Sequence, residues 1–148
     1  MKPDKISNQK TPVLKLYTQL MRATNIVTQK MHRHLLTHNL SISQFGVIEA
    51  LYHLGPLCQK EIGEKILKTS GNITLVIDNL EKRGLVTREK DPADRRKMTV
   101  KMTKSGYMLI EKIFPVHSKI AQKVFSVLEP KGQQSLSRIL KKLGKANK

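Results

Sequence analysis

Apolar positions recur at helical spacing from Pro12 onward. Leu16, Leu20, Ala23, Val27, Met31, His34 and Leu35 fall largely on one side of a helix that runs to about His38. Thr11 before Pro12 marks its start, because a first-turn N–H has no intrahelical partner to lose. Asn39 tolerates the left-handed backbone that ends it. Ser43 is placed to cap a short helix with Phe45, Ile48, Leu51 and Tyr52 on one side, and Gly55-Pro56 stops it. Leu57-Cys58 lead into a helix from about Gln59 to Leu67. A turn at Lys68-Thr69-Ser70-Gly71 separates it from a helix of about Asn72 to Arg83, which Gly84 ends.

The period then changes from helical to alternating. Leu85 to Lys90 reads as a strand, Asp91 to Lys97 as a charged turn and Met98 to Met102 as the returning strand, with Val86 and Arg88 on one face. Thr103 is placed to cap a long helix to about Leu128, which Pro115 should kink by deleting a backbone hydrogen bond. Pro130 opens a last helix carrying Leu136, Ile139, Leu140 and Leu143, ended by Gly144. Six helices and one hairpin in this order predict a mainly α fold with a small β-hairpin wing, a winged helix-turn-helix. Residues 1–10 read as a mobile arm and 11–148 as one domain. Its 41–103 segment holds the helix-turn-helix and the hairpin, with the helices of 11–38 and 104–148 on either side.

Composition narrows the partner. The chain has 148 residues, 39% apolar, enough for a core without covalent help. It carries 28 Lys and Arg against 11 Asp and Glu, a net charge of +17, which calls for an anionic partner such as nucleic acid. The ends are more basic than the middle: residues 1–40 carry +6 and 104–148 carry +8, against +4 for 59–103. Keeping a helical surface soluble explains the C-terminal lysines as well as DNA contact does. A single cysteine makes no intramolecular disulfide. No apolar segment marks a signal peptide or approaches the roughly 20 residues of a membrane helix. A cytoplasmic protein without a membrane partner is expected.

Two helices joined by a tight turn and followed by a charged hairpin suit DNA geometrically. A helix fits the major groove, and a narrow basic loop reaches the backbone or the minor groove. On the second helix Ile73, Val76, Ile77 and Leu80 gather on the packing side, leaving Thr74, Leu75, Asp78, Asn79 and Lys82 outward. Leu75 reads either as a partly covered surface leucine or as a contact for a thymine methyl. Ser70, Gly71 and Asn72 stand where backbone N–H groups favour phosphate, and they also read as ordinary caps. Asp78 would repel phosphate unless paired, so it reads as an orienting partner for a basic neighbour. In the hairpin tip, Asp94 is placed to hold one of Arg95, Arg96 and Lys97 in a fixed pose.

Residues 40–106 resemble the MarR family of regulators. The resemblance rests on Ser70-Gly71-Asn72-Ile73-Thr74, on Asp78-Asn79-Leu80-Glu81-Lys82-Arg83-Gly84-Leu85-Val86, on Asp91-Pro92-Ala93-Asp94-Arg95-Arg96 and on Met102-Thr103-Lys104-Ser105-Gly106. The outer helices extend it to about 11–145. It implies a triangular homodimer, with its interface built from the first helix and the last two, on a pseudo-palindromic operator in double-stranded DNA. It implies that Arg96 enters the minor groove while Asp94 steadies it. It also implies, for many members, repression relieved by a small-molecule effector, a metal or an oxidant.

The peroxide-sensing branch keeps its cysteine near the start of the first helix, where this chain has none. Cys58 instead precedes a helix, where the helix N-terminus and Lys60 favour a reactive thiolate; a small buried apolar residue is the alternative reading. His34 and His38, four apart, are candidate zinc ligands, although zinc needs three or four, and core or interface positions are the alternative. No cofactor is implied. Neither a nucleophile elbow nor a phosphate-cradling glycine loop is present, so an enzyme is not expected. A non-specific nucleic-acid-binding basic protein is the reading outside the regulator class, and the scarcity of aromatics speaks against it.

Overall fold

The structure is a computed structural model that describes residues 11–66 and 73–148. The expected arm at 1–10 and the turn at 68–71 lie outside the described residues. Helix α1 spans Pro12–His32 and continues as a 3-10 helix, Arg33–His38. Then follow α2 (Ile42–Leu54), β1 (Leu57–Cys58), α3 (Gln59–Lys65), α4 (Ile73–Lys82), β2 (Val86–Lys90), β3 (Met98–Met102), α5 (Lys104–Phe125) and α6 (Pro130–Ala146). The chain divides into two compact units, one formed by the segment ending at Arg33 with Ile120–Lys148, the other by His34–Lys119.

The second unit holds the core. Leu35, Leu40, Phe45, Val47, Ile48, Leu51, Ile62, Ile77, Leu80, Leu85, Val86, Val100, Ile110 and Ile113 are buried together. Helix α2 packs against α4 and β3, and α3 packs against α4. The strands form one antiparallel sheet in the order β1-β3-β2. Val86 faces Met102 and Arg88 faces Val100, so the inward side of the hairpin is apolar apart from Arg88. The sequence suggests a two-stranded hairpin. The third strand is only Leu57–Cys58, paired with Val100 and Thr99, too short to show an alternating pattern.

Local chemistry moves three boundaries. Helix α2 is capped by Ser41, not Ser43: the Ser41 hydroxyl accepts from the Gln44 amide at 3.0 Å, and the Ser41 amide donates to the Gln44 side chain at 3.0 Å. That reciprocal capping box satisfies two donors at once. The expected helix to His38 tightens to 3-10 geometry after His32, and Asn39 then turns the chain with φ of 52°. Gly144 does not end α6, which runs to Ala146, where the Asn147 side chain donates to the Leu143 carbonyl at 2.9 Å.

Thr103 joins the wing to α5. Its hydroxyl donates to the Gly84 carbonyl at 2.6 Å and accepts from the Gly106 amide at 3.1 Å, while its amide donates to the Leu85 carbonyl at 3.0 Å. Gly106 lies so close to the Leu85 backbone that a Cβ there would overlap its carbonyl oxygen.

The first unit is built differently. Helices α1 and α6 contain no buried residue. Leu16, Tyr17 and Met21 of α1, and Ile139, Leu140 and Leu143 of α6, are exposed. Gln133 ties α6 to the end of α5 by donating to the Phe125 and Leu128 carbonyls, each at 3.0 Å. Among the described residues, no helix is long and apolar enough to cross a membrane.

Candidate nucleic-acid interface

Helix α4 buries Ile77 and Leu80 and half-buries Ile73 and Val76 against the core. The 3.6-residue period therefore turns Thr74, Leu75 and Lys82 to the surface, all exposed, with Asp78 and Asn79 half-buried at the border. Leu75 keeps 54% of its surface accessible, a large apolar side chain held outward on a polar face. Thr74 is not loose: Gln59, the first residue of α3, donates to its hydroxyl at 2.7 Å.

Three arginines divide between bracing and display. Arg88 of β2 turns inward and is ion-paired to Asp78, and it also reaches Glu81 at 3.2 Å. Its amide donates to the other Glu81 oxygen at 3.1 Å. These carboxylates hold the Arg88 guanidinium above its ordinary pKa, chiefly through the Glu81 hydrogen bond and against partial desolvation. Arg83 donates to the His38 and Asn39 carbonyls at 3.0 and 2.8 Å, tying the end of α4 to the corner before α2. Arg96 is the displayed one.

The wing tip is a network of short-range hydrogen bonds. The Asp91 carboxylate accepts from the Ala93 amide at 2.8 Å, and the Asp91 amide donates to the Lys97 carbonyl at 2.9 Å. Asp94 accepts from the Arg96 amide at 3.1 Å, and the same oxygen lies 3.5 Å from Arg96 Nε. The Arg96 side chain is nevertheless 95% exposed. A carboxylate at its base thus orders the backbone while the guanidinium points to solvent. Arg95 and Lys97 are exposed beside it. At the wing's base, Lys101 of β3 pairs with Glu89 of β2 at 2.7 Å.

Cys58 stands at the cap position of α3, half-buried, and shares a groove with Lys60, Glu61, Arg96 and Lys97. Its amide donates to Glu61 at 2.8 Å. Hydrogen bonds from that amide and from the thiol hold Glu61 below the ordinary carboxylate range, helped by Lys97 and Lys65.

The histidines do not converge as the spacing suggests. In a 3-10 helix, residues four apart are turned by about 120° from each other, so His34 and His38 leave the common face that an α-helix would give them. His34 Nε2 instead meets Nδ1 of His117 in α5 at 2.9 Å. Among the described residues, no three His, Cys, Asp or Glu side chains are grouped to hold a metal ion.

Of the residues singled out in sequence, Thr74, Leu75, Asn79 and Lys82 lie on α4, and Asp94, Arg95, Arg96 and Lys97 on the wing of the same unit. Ser70, Gly71 and Asn72 lie outside the described residues. Gln59, Arg83 and Arg88 were not legible as supports. Arg88 had a usable signal, since Asp78 and Glu81 are three apart and need a cation on their shared face.

Known proteins resemble the chain over most of its length. Residues 40–98 match the MarR family. The HTH-type transcriptional regulator MhqR of Bacillus subtilis is 37% identical over 131 residues, spanning 88% of this chain and 90% of that protein. Among solved structures, the Streptomyces coelicolor MarR-family regulator Sco3205, in complex with DNA, superposes with a TM-score of 0.85 at 22% identity, covering 95% of this chain and 94% of that one. Bordetella bronchiseptica BpsR, whose DNA binding is regulated by 6-hydroxynicotinic acid, superposes with a TM-score of 0.79 at 27% identity, covering 88% and 98%.

Proposed function

The chain belongs to the MarR family of transcriptional regulators, and from that premise we propose that it is a homodimeric repressor that grips a pseudo-palindromic operator and releases it on a small-molecule signal. The observation that carries the reading is the pairing of two displayed surfaces on one unit. The outward face of α4 is braced by Arg88, and the wing holds Arg96 outward over Asp94. The first suits the major groove and the second a minor groove or phosphates.

In this reading Thr74, Leu75, Asn79 and Lys82 meet base edges and backbone. Ser70, Gly71 and Asn72, just before α4 in sequence, receive phosphate. Arg95, Arg96 and Lys97 form the wing contact, and Asp94 positions Arg96 without touching DNA. The homodimer is supported by the exposed apolar faces of α1 and α6, since a monomer rarely leaves such faces to water. DNA-bound Sco3205 and ligand-regulated BpsR support the partner and the signal class. A repressor of this kind acts in the cytoplasm, where the chromosome is, and we assign it no catalytic role.

Selection of bound duplexes from a random pool tests the reading. It should return a two-fold related sequence with half-sites about one helical turn apart. A pool that shows no enrichment would sink it.

A further inference from the structure

We propose that α6 carries a second, sequence-independent surface for the phosphate backbone of duplex DNA. The inference rests on the regulator reading only in that duplex DNA is the polyanion this protein meets.

The net charge is not where a reading head would put it. Residues 11–33 and 120–148 carry eleven Lys and Arg against one acidic residue, Glu129, whereas 34–119 carry fourteen against nine. In the second unit, acidic side chains pair with Arg88, Arg96 and Lys101. Helices α1 and α6 contain no acidic residue at all. A surface whose charges serve solubility mixes the signs; this one does not.

The charge on α6 is also ordered. Lys131, Arg138, Lys142 and Lys145 are exposed and recur at intervals of seven, four and three. That spacing places them within about 60° of one another on a stripe some 21 Å long. One strand of B-DNA passes about six phosphates over that length. Leu136, Ile139, Leu140 and Leu143 occupy the other side of the helix.

A lipid surface fits less well. The apolar face that insertion would need is the one the proposed dimer covers, and α6 has no aromatic residue to sit at an interface. A duplex takes the stripe alone and leaves the apolar face for the partner protomer.

The test replaces Lys131, Arg138, Lys142 and Lys145 with Gln in the full chain, with an all-Arg stripe as the charge-retaining control. Affinity for a long random duplex is measured from about 50 to 200 mM salt, alongside a short selected duplex. Thermal melting and sedimentation confirm a folded dimer; should four changes disturb it, the pair Lys131→Gln and Arg138→Gln is used. For the Gln variant we expect at least tenfold weaker binding to the random duplex, with a salt dependence flatter by about 0.9 for each phosphate that is no longer neutralised. The all-Arg variant should match wild type. Parallel salt lines for Gln variant and wild type would overturn the proposal. So would loss of binding to phosphatidylglycerol vesicles with DNA binding unchanged, which would assign the stripe to membranes. Failure of the regulator reading shows separately, as a wild-type protein that does not prefer the selected duplex.

Discussion

Arg88, on the inward side of the wing's first strand, is ion-paired to Asp78 on the border of the exposed face of α4. The pair cancels a negative charge that would otherwise meet phosphate, and with Glu81 it fixes the helix against the wing. All three side chains are partly exposed, 21% for Arg88, 34% for Asp78 and 40% for Glu81, so the direct contribution to stability is about 1 kcal/mol. The larger effect is on DNA. Arg88→Met should leave a folded protein whose affinity for its selected duplex falls roughly tenfold or more, about 1.4 kcal/mol, while Asp78→Asn in the same background restores part of it. Unchanged affinity in Arg88→Met, measured by fluorescence anisotropy, would remove the bracing role.

Gly106 is required for close approach, not for a turn. Its Cβ position is occupied by the Leu85 carbonyl and the Met102 side chain, and the backbone cannot yield cheaply. Gly106→Ala should destabilise the protein by about 2–3 kcal/mol, read as a lowered midpoint in urea. Ser105→Ala, one residue earlier on the exposed side, should be within about 0.5 kcal/mol of wild type.

Exposed leucines on α1 and α6 belong to the protomer contact in the proposed dimer. Leu140→Glu should shift the protein towards monomer in sedimentation equilibrium and weaken binding to a two-fold duplex by at least about tenfold, about 1.4 kcal/mol. The buried core of the other unit does not include Leu140, so far-UV circular dichroism should be retained. A wild-type monomer at micromolar concentration would contradict the dimer outright.

Glu61 gives the pH dependence a definite sign. Its carboxyl is held below the ordinary range by donors from Cys58. Its contribution is therefore present above the unfolded carboxylate pKa and lost as pH falls through the lower, folded value. Glu61→Gln should melt slightly below wild type at neutral pH, with the two curves converging in acid. Because Glu61 is solvent-exposed the difference is small. A wild-type advantage that grows on acidification would contradict the assignment.

Much of this was legible in the residues, for physical reasons that differ by element. The hairpin was readable because Val86, Val100 and Met102 alternate, and α4 because Ile73, Val76, Ile77 and Leu80 keep one period. The need for a partner at Asp78 followed from its charge, and the wing's ordering of Arg96 from the short step to Asp94. What stayed hidden depends on contacts between distant segments. Nothing local in Leu57–Cys58 announces a strand, because its partner is Thr99–Val100. His34 pairs with His117, 83 residues on, and the switch to 3-10 geometry after His32 removed the common face that pointed to His38. Ser43 reads as the cap in sequence, whereas Ser41 takes that place because Gln44, three residues on, closes a capping box with it.

The most direct measurement compares wild type and Arg96→Ala on the selected duplex and on a scrambled one at fixed salt. Wild type should prefer the selected duplex by about 1000-fold or more, and Arg96→Ala should lose roughly ten- to a hundredfold of that binding with an unchanged melting temperature. Equal wild-type affinity for the two duplexes would contradict the account.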